Sequence, residues 1–412
     1  MTDSIPAKII IVGSGHAGGN AAALLRQGGY TGEVVLLGDE MYAPYHRPPL
    51  SKAYLKGEVD IEGLKLRPDE FYKEQNIELR LGVRVQAIDR EVRVVTLTDG
   101  TRLAYDALIL ATGSRARKLP IPGGDLAGIY EMRNVADANK LKTVLCQGKR
   151  LCAIGGGYIG LEAAAVARES GAEVVVLDRE ARVLSRVASA LLSSFMQAYH
   201  AARGVEFILD ANVRAFIGDA AGQVKSVQMA DGRLISCDVA LVGVGAVAND
   251  ELARECGLPC ENGVVVDAAS RTADPAIYAI GDVAWRPLPL SDHRMMRLES
   301  VPNAMEQAKQ AVASLLGRPA PPPEVPWFWS DQYDLKLQIA GIPFDTDETL
   351  LRGRTEDAKF ALFHLKGDRI VAVEAVNAPA EFMAGKQLIL QRKPISRDKL
   401  ADTSIPMKQV AI

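Results

Sequence analysis

A short apolar strand, a glycine-rich turn, an alanine-rich helix and a second apolar strand occur twice in this chain, and that repeated unit limits its possible folds more than any other feature. The first copy runs from Ile9 to Val12 through Gly13-Ser14-Gly15-His16-Ala17-Gly18 into a helix ending near Arg26, then a strand from Val34 to Leu37. The second runs from Leu151 to Ile154 through Gly155-Gly156-Gly157-Tyr158-Ile159-Gly160, a helix to Ser170 and a strand from Val174 to Leu177. In such a unit the first glycine permits the tight turn, the second lets backbone approach a pyrophosphate, and the third lets helix pack on strand. Unsatisfied amides and the positive end of the helix dipole then favour an anion without a lysine. The expected fold class is therefore α/β, with two Rossmann-like dinucleotide-binding domains.

Each unit should also place an acid at the end of its second strand to hold the adenosine ribose hydroxyls. Asp178 stands there in the second copy, 23 residues after Gly155. In the first copy Gly38 takes that position, and the ribose acid is Asp39 or Glu40, with Asp39 favoured. A later strand, Ala276 to Ile280, ends in Gly281-Asp282, which puts a second carboxylate at a sheet's carboxyl edge. Two dinucleotide sites in one chain suit a nucleotide held permanently and another exchanged, the arrangement for passing a hydride from nicotinamide to a bound flavin. The flavin is expected in the first. A helical stretch from Asn303 to Leu316, a Pro-rich linker from Pro319 to Pro326 and a small α+β tail complete the chain.

Composition excludes several other classes. With 48 basic and 51 acidic residues the chain has no whole-molecule field that would gather nucleic acid or anionic lipid. No apolar run reaches membrane-spanning length, and the strand begins too soon after Met1 for a signal peptide, so a cytoplasmic setting is expected. The five cysteines show no metal-binding spacing, and the nearest pair, Cys256 and Cys260, lacks supporting histidines. No metal site is expected.

Several segments together resemble the putidaredoxin-reductase-like, oxygenase-coupled FAD-dependent NADH:ferredoxin reductases. They are Arg47-Pro-Pro-Leu-Ser-Lys52, Leu110-Ala111-Thr112-Gly113-Ser114, Gly155 through Glu162, Thr272 through Asp282, Glu299-Ser-Val-Pro302-Asn303 and Pro326-Trp327-Phe-Trp329-Ser-Asp-Gln332. The resemblance implies an FAD domain over residues 1–114 and 247–326, an inserted NAD domain over 115–246 and a C-terminal α+β domain over 327–412. It implies non-covalent FAD held by Gly13, Gly15, Ala17, Gly18, Asp39, Arg47, Lys52, Ala111, Thr112, Gly113, Gly281, Asp282, Pro302, Asn303 and Trp329. NADH would meet Gly155, Gly157, Tyr158, Ile159, Gly160, Glu162, Asp178 and Gly245.

Within that pattern Pro48 and Pro49 fit a helix start, placing Lys52 in the first turn near the flavin, with Glu162 as its counter-charge. Trp329 would cover the flavin ring with Trp327 supporting it. Lys386, Arg392 and Lys393 in the terminal helical stretch would steer an acidic two-iron two-sulfur ferredoxin that serves a haem monooxygenase or an aromatic-ring dioxygenase. Asp178 would repel a 2′-phosphate, although Arg179, Arg182 and Arg186 follow it and one of them could meet such a group. The oligomeric state stays open between monomer and dimer. A disulfide reductase or an NADH oxidase is an alternative on the same folds, but the first requires a cysteine beside the flavin and none occurs between Met1 and Lys142. A flavin-binding interaction protein resembling apoptosis-inducing factor is the alternative of another class, and the balanced charge argues against it.

Overall fold

Alternate residues of the strand Lys8–Val12 face two different cores, which fixes how each layer is built. The computed structural model describes residues 5–412, and these form two compact units, one of residues 5–46, 64–115 and 248–328, the other of 47–63, 116–247 and 329–412.

In the first unit Lys8–Val12 is the middle of a five-stranded parallel sheet in the order Ile277–Ala279, Ala107–Leu110, Lys8–Val12, Glu33–Leu37, Ile77–Arg80. Ile9 and Ile11 pack against the helices His16–Gln27 and Val301–Leu315, whose meeting surfaces carry Ala21, Ala22, Ala304, Ala308 and Ala311. Small side chains let those two helices approach closely. Ile10 and Val12 face the other way, into a core shared with Val85, Ile88, Val95 and Leu97 of a three-stranded antiparallel sheet. Burial of the strand on both faces explains why its sequence is an unbroken apolar run without alternation.

The second unit repeats this plan. Its parallel sheet runs in the order Val205–Ile208, Glu173–Leu177, Arg150–Ile154, Val239–Val242, Ile129–Tyr130. Cys152, Ile154, Val175 and Leu177 face the antiparallel strands around Phe216 and Val227. A second sheet of five strands follows, in the order Trp327–Gln332, Leu335–Gly341, Arg369–Val376, Lys359–Lys366, Glu348–Arg354. Within it Lys359–Lys366 and Arg369–Val376 form a hairpin joined through Gly367 and Asp368. Leu335, Leu337, Phe360 and Val376 of this sheet share a core with Leu161 of the helix Tyr158–Glu169 and with Leu192 and Met196 of the helix Ala190–Ala201.

Two local expectations are corrected. The segment after Arg47 is no continuous helix: Pro48–Ser51 form a single 3-10 turn, and Lys52 sits between that turn and the short helix Ala53–Lys56. Each proline lacks an N–H, which suits a helix start but leaves little to propagate. The three cations near the C-terminus do not share a helix. Lys386 lies within Pro379–Gln391, Arg392 terminates it at φ 51°, and Lys393 lies beyond.

Candidate functional site

In each glycine turn the first glycine and the glycine inside the following helix have no room for a side chain. In the first unit Gly13 has φ +111°, and a Cβ there would stand 2.2 Å from the Ala111 carbonyl oxygen; one on Gly18 would stand 1.9 Å from the Gly13 carbonyl oxygen. Gly15 caps the helix His16–Gln27. Bare backbone is thereby presented at a helix N-terminus, the shape a pyrophosphate requires. Gly281, at φ +78°, leaves a Cβ only 2.9 Å from Ala17.

Around this turn the expected residues hold one another in place. Thr112 Oγ1 donates to the Asn249 carbonyl at 2.7 Å, and Asn249 Nδ2 returns a bond to the Thr112 carbonyl at 2.8 Å. Gly113 follows at φ +67°. Asp282 Oδ2 accepts from Ser114 Oγ at 3.0 Å. The helix Val301–Leu315 starts at Ser300, whose hydroxyl accepts from the Asn303 amide, with Pro302 in its first turn. Asn303 Oδ1 accepts from Gln307 and Arg286, and Arg286 pairs with Glu306 at 2.9 Å. Asp39 is exposed, while Glu40 is half-buried and accepts from Tyr45 at 2.6 Å.

The residue at the end of the second strand differs between the two folds for a steric reason. In the first, Ser14 fills the space beside Gly38, and a Cβ on Gly38 would lie 2.1 Å from Ser14 Oγ and 2.7 Å from Ser14 Cβ. In the second, the loop residue is the glycine and the strand-end residue the acid: Gly156 N donates to Asp178 Oδ2 at 2.6 Å. The other Asp178 oxygen accepts from Glu180 N at 2.9 Å.

The second turn is otherwise built like the first. A Cβ on Gly155, at φ +105°, would stand 2.3 Å from the Gly243 carbonyl oxygen; one on Gly160 would stand 2.0 Å from that of Gly155. No heavy atom lies within 4 Å of the Cβ position on Gly157, which leaves the N-terminus of Tyr158–Glu169 open to a ligand. Tyr158 begins that helix, and burial, then Glu374 and Glu162, push its phenol far up. Ile159 is 40 % exposed, and Gly245 takes φ +103°. Arg182 is held by the carbonyls of Ser185 and Ala188 and by Ser193 Oγ, and Arg179 lies against Glu180 at 3.1 Å. Arg186 Nη2 lies 3.8 Å from where a Cβ on Gly245 would stand.

Also in the second unit, Lys52 Nζ lies 2.7 Å from Glu162 Oε2, the lysine 16 % and the glutamate 2 % exposed. The turn residue Ser51 donates to the same oxygen at 2.5 Å. Ser330 donates to Oε1 at 2.5 Å. Sequence reasoning singled out neither serine, although both lie inside motifs it quoted, in Arg47-Pro-Pro-Leu-Ser51-Lys52 and Trp329-Ser330-Asp-Gln332. Arg47 donates to the Arg133 carbonyl at 3.1 Å. Trp329 is half-buried beside Ser330, and so is Trp327 at the start of that strand. Lys386 is half-buried, and Arg392 and Lys393 are exposed.

Cys256 and Cys260 are free thiols, and burial pushes the Cys260 thiol up to about 11. Among the described residues no cluster of His, Cys, Asp or Glu could hold a metal ion, and no helix is long and apolar enough to cross a membrane.

Residues 7–308 match the family model described as pyridine nucleotide-disulphide oxidoreductase, and residues 327–411 match the reductase C-terminal model. A probable ferredoxin reductase, CtmF, from Castellaniella defragrans is 50 % identical, over 98 % of this chain and 99 % of its own. Putidaredoxin reductase CamA from Pseudomonas putida is 41 % identical, over 98 % and 96 %. The solved covalent complex of putidaredoxin reductase with putidaredoxin superposes with a TM-score of 0.95 at 40 % identity, covering 98 % of this chain and 97 % of that one. The chain belongs to the pyridine nucleotide-disulphide oxidoreductase family and, within it, to the putidaredoxin-reductase-like ferredoxin reductases.

Proposed function

We propose that this flavin- and nicotinamide-dependent oxidoreductase binds FAD without a covalent link, takes electrons from NADH and passes them singly to a two-iron two-sulfur ferredoxin of a haem monooxygenase or an aromatic-ring dioxygenase system. The observation that carries the reading is the pair of glycine cradles, each presenting bare backbone at a helix N-terminus. When bound, the flavin supplies the conversion of a two-electron donor to one-electron output.

The protein's own residues position and neutralise. Gly13, Gly15 and Gly18 cradle one pyrophosphate, with Ala17, Ala111, Thr112, Gly113, Gly281, Asp282, Pro302 and Asn303 around the same nucleotide and Asp39 at its ribose. Gly155, Gly157 and Gly160 cradle the other, with Tyr158, Ile159 and Gly245 beside it, and Asp178 accepts the ribose hydroxyls. Lys52 presents an ammonium to the redox site from a rigid turn, and Glu162 compensates it. Arg47 joins the flavin site, and Trp329 covers the ring where electrons leave. Lys386, Arg392 and Lys393 draw in an acidic partner. The domain division proposed is 1–114 with 247–326, then 115–246, then 327–412, in a cytoplasmic protein.

Denaturing the purified yellow protein with acid tests the cofactor assignment. Flavin should appear in the supernatant and increase in fluorescence on phosphodiesterase treatment, which separates FAD from FMN; colour retained in the pellet contradicts non-covalent binding.

A further inference from the structure

The Glu162 carboxylate terminates a hydrogen-bond chain whose donors all point the same way. His200 Nε2 lies 2.7 Å from Gln332 Oε1, Gln332 Nε2 donates to Ser330 Oγ at 3.0 Å, and Ser330 Oγ donates to Glu162 Oε1 at 2.5 Å. An amide oxygen can only accept, so His200 carries its proton on Nε2; its Nδ1 is buried and makes no hydrogen bond. The side chains are 0 %, 1 %, 0 % and 2 % exposed in the order His200, Gln332, Ser330, Glu162, so water does not replace a missing link.

We propose that His200, Gln332 and Ser330 are positioning residues that fix the Glu162 carboxylate against Lys52 and pin the strand carrying Trp329. Successive donors polarise one another in a low-dielectric interior, and their common direction places positive ends towards the carboxylate. Orientation is transmitted as well as charge. A carboxamide can turn end for end and a hydroxyl proton can rotate. While His200 donates to the Gln332 oxygen, the Gln332 amino group must face Ser330, and with that lone pair engaged the Ser330 proton is directed to Glu162. Without the donor at 200, the amide turns, its oxygen accepts from Ser330, and Glu162 Oε1 loses its serine. Ser330 and Gln332 lie on one face of the strand, and Trp329 alternates to the other. The inference rests on the proposed function only in taking Lys52 and Glu162 as parts of the redox site.

A double-mutant cycle in the flavin-loaded protein tests it. His200→Phe should slow NADH-driven flavin reduction roughly three- to tenfold, with the loss in the reduction rate and not in NADH affinity. The same substitution in a Glu162→Gln background should cause no further loss. His200→Gln, which retains a donor, should recover most of the rate. Should His200→Phe not fold, Ser330→Ala compared with Ser330→Thr makes the same test, because threonine keeps the hydroxyl. A second readout does not depend on turnover. The chain has three tryptophans, so Trp285→Phe with Trp327→Phe leaves Trp329 alone, and Ser330→Ala in that background should raise its acrylamide quenching while Ser330→Thr restores it. Equal slowing by His200→Phe with and without Glu162→Gln overturns the proposal. If NADH fails to reduce the flavin at all, the functional reading fails and Trp329 quenching alone decides: unchanged quenching in Ser330→Ala overturns the positioning role.

Discussion

Lys52 and Glu162 form an ion pair of 2.7 Å in which the carboxylate is 2 % exposed. A buried charge is tolerated only when compensated, and removing one partner costs more than the pair itself contributes. Glu162→Gln keeps the shape and deletes the charge, so it should slow flavin reduction by NADH at least about tenfold and lower stability by about 1–3 kcal/mol. FAD content should not change. Stopped-flow flavin absorbance with a flavin-to-protein ratio checks both, and an unaltered reduction rate would remove Glu162 from the redox step.

Asp178 is held by two backbone amides, Gly156 and Glu180, which aim its carboxylate from the turn of the second fold. A 2′-phosphate placed there meets a like charge, and Arg182 is already engaged by Ser185, Ala188 and Ser193. NADH should therefore exceed NADPH in kcat/KM by at least about tenfold, roughly 1.4 kcal/mol. Asp178→Asn should narrow the gap. Equal specificity constants in the unaltered protein contradict the assignment.

The Ser14 and Gly38 pair makes a reciprocal prediction. Gly38→Ala puts a Cβ 2.7 Å from Ser14 Cβ, an overpacking that should destabilise by about 1–3 kcal/mol. Adding Ser14→Gly reproduces the small-residue side of the second fold's Gly156 and Asp178 arrangement and should restore most of that loss. Thermal unfolding of the single and double variants decides, since additive losses would mean the two residues do not compete for one space.

Acid should weaken the protein through His200. Burial among Phe207 and Tyr333, with Arg203 nearby, pushes its pKa down to about 4 from 6.5 against the opposing effect of the hydrogen bond to Gln332. The unfolded chain then binds the proton more tightly. This contribution is complete above pH 6.5, falls as the pH drops below that value and is gone near pH 4. Its size is about 3 kcal/mol. His200→Gln should flatten the fall in melting temperature between those limits; an identical pH profile would show that other groups dominate.

What the sequence made legible follows the range of the interaction. Both glycine turns, their strands and Asp178 were readable because each is a local requirement of one strand-turn-helix-strand unit. The 3-10 turn at Pro48–Ser51 was missed because propensity marks a helix start better than its length. Ser51 and Ser330 meet Glu162 across 111 and 168 residues, and His200 meets Gln332 across 132. Such partners leave no periodic trace. Glu374 is another case: it accepts from the Ser189 amide and hydroxyl at the start of the helix Ala190–Ala201, 185 residues away. Nothing in the strand Arg369–Val376 announces that one of its inward residues will be a carboxylate serving a distant helix.

The most direct test of the account is anaerobic spectrophotometry of the purified flavoprotein with NADH and a panel of two-iron two-sulfur ferredoxins. At least one ferredoxin should bleach at a catalytic level of enzyme, with two molecules reduced per NADH consumed. If NADH bleaches the flavin but every ferredoxin stays oxidised, the chain moves hydride as proposed and delivers its electrons elsewhere, and the ferredoxin reductase reading is wrong.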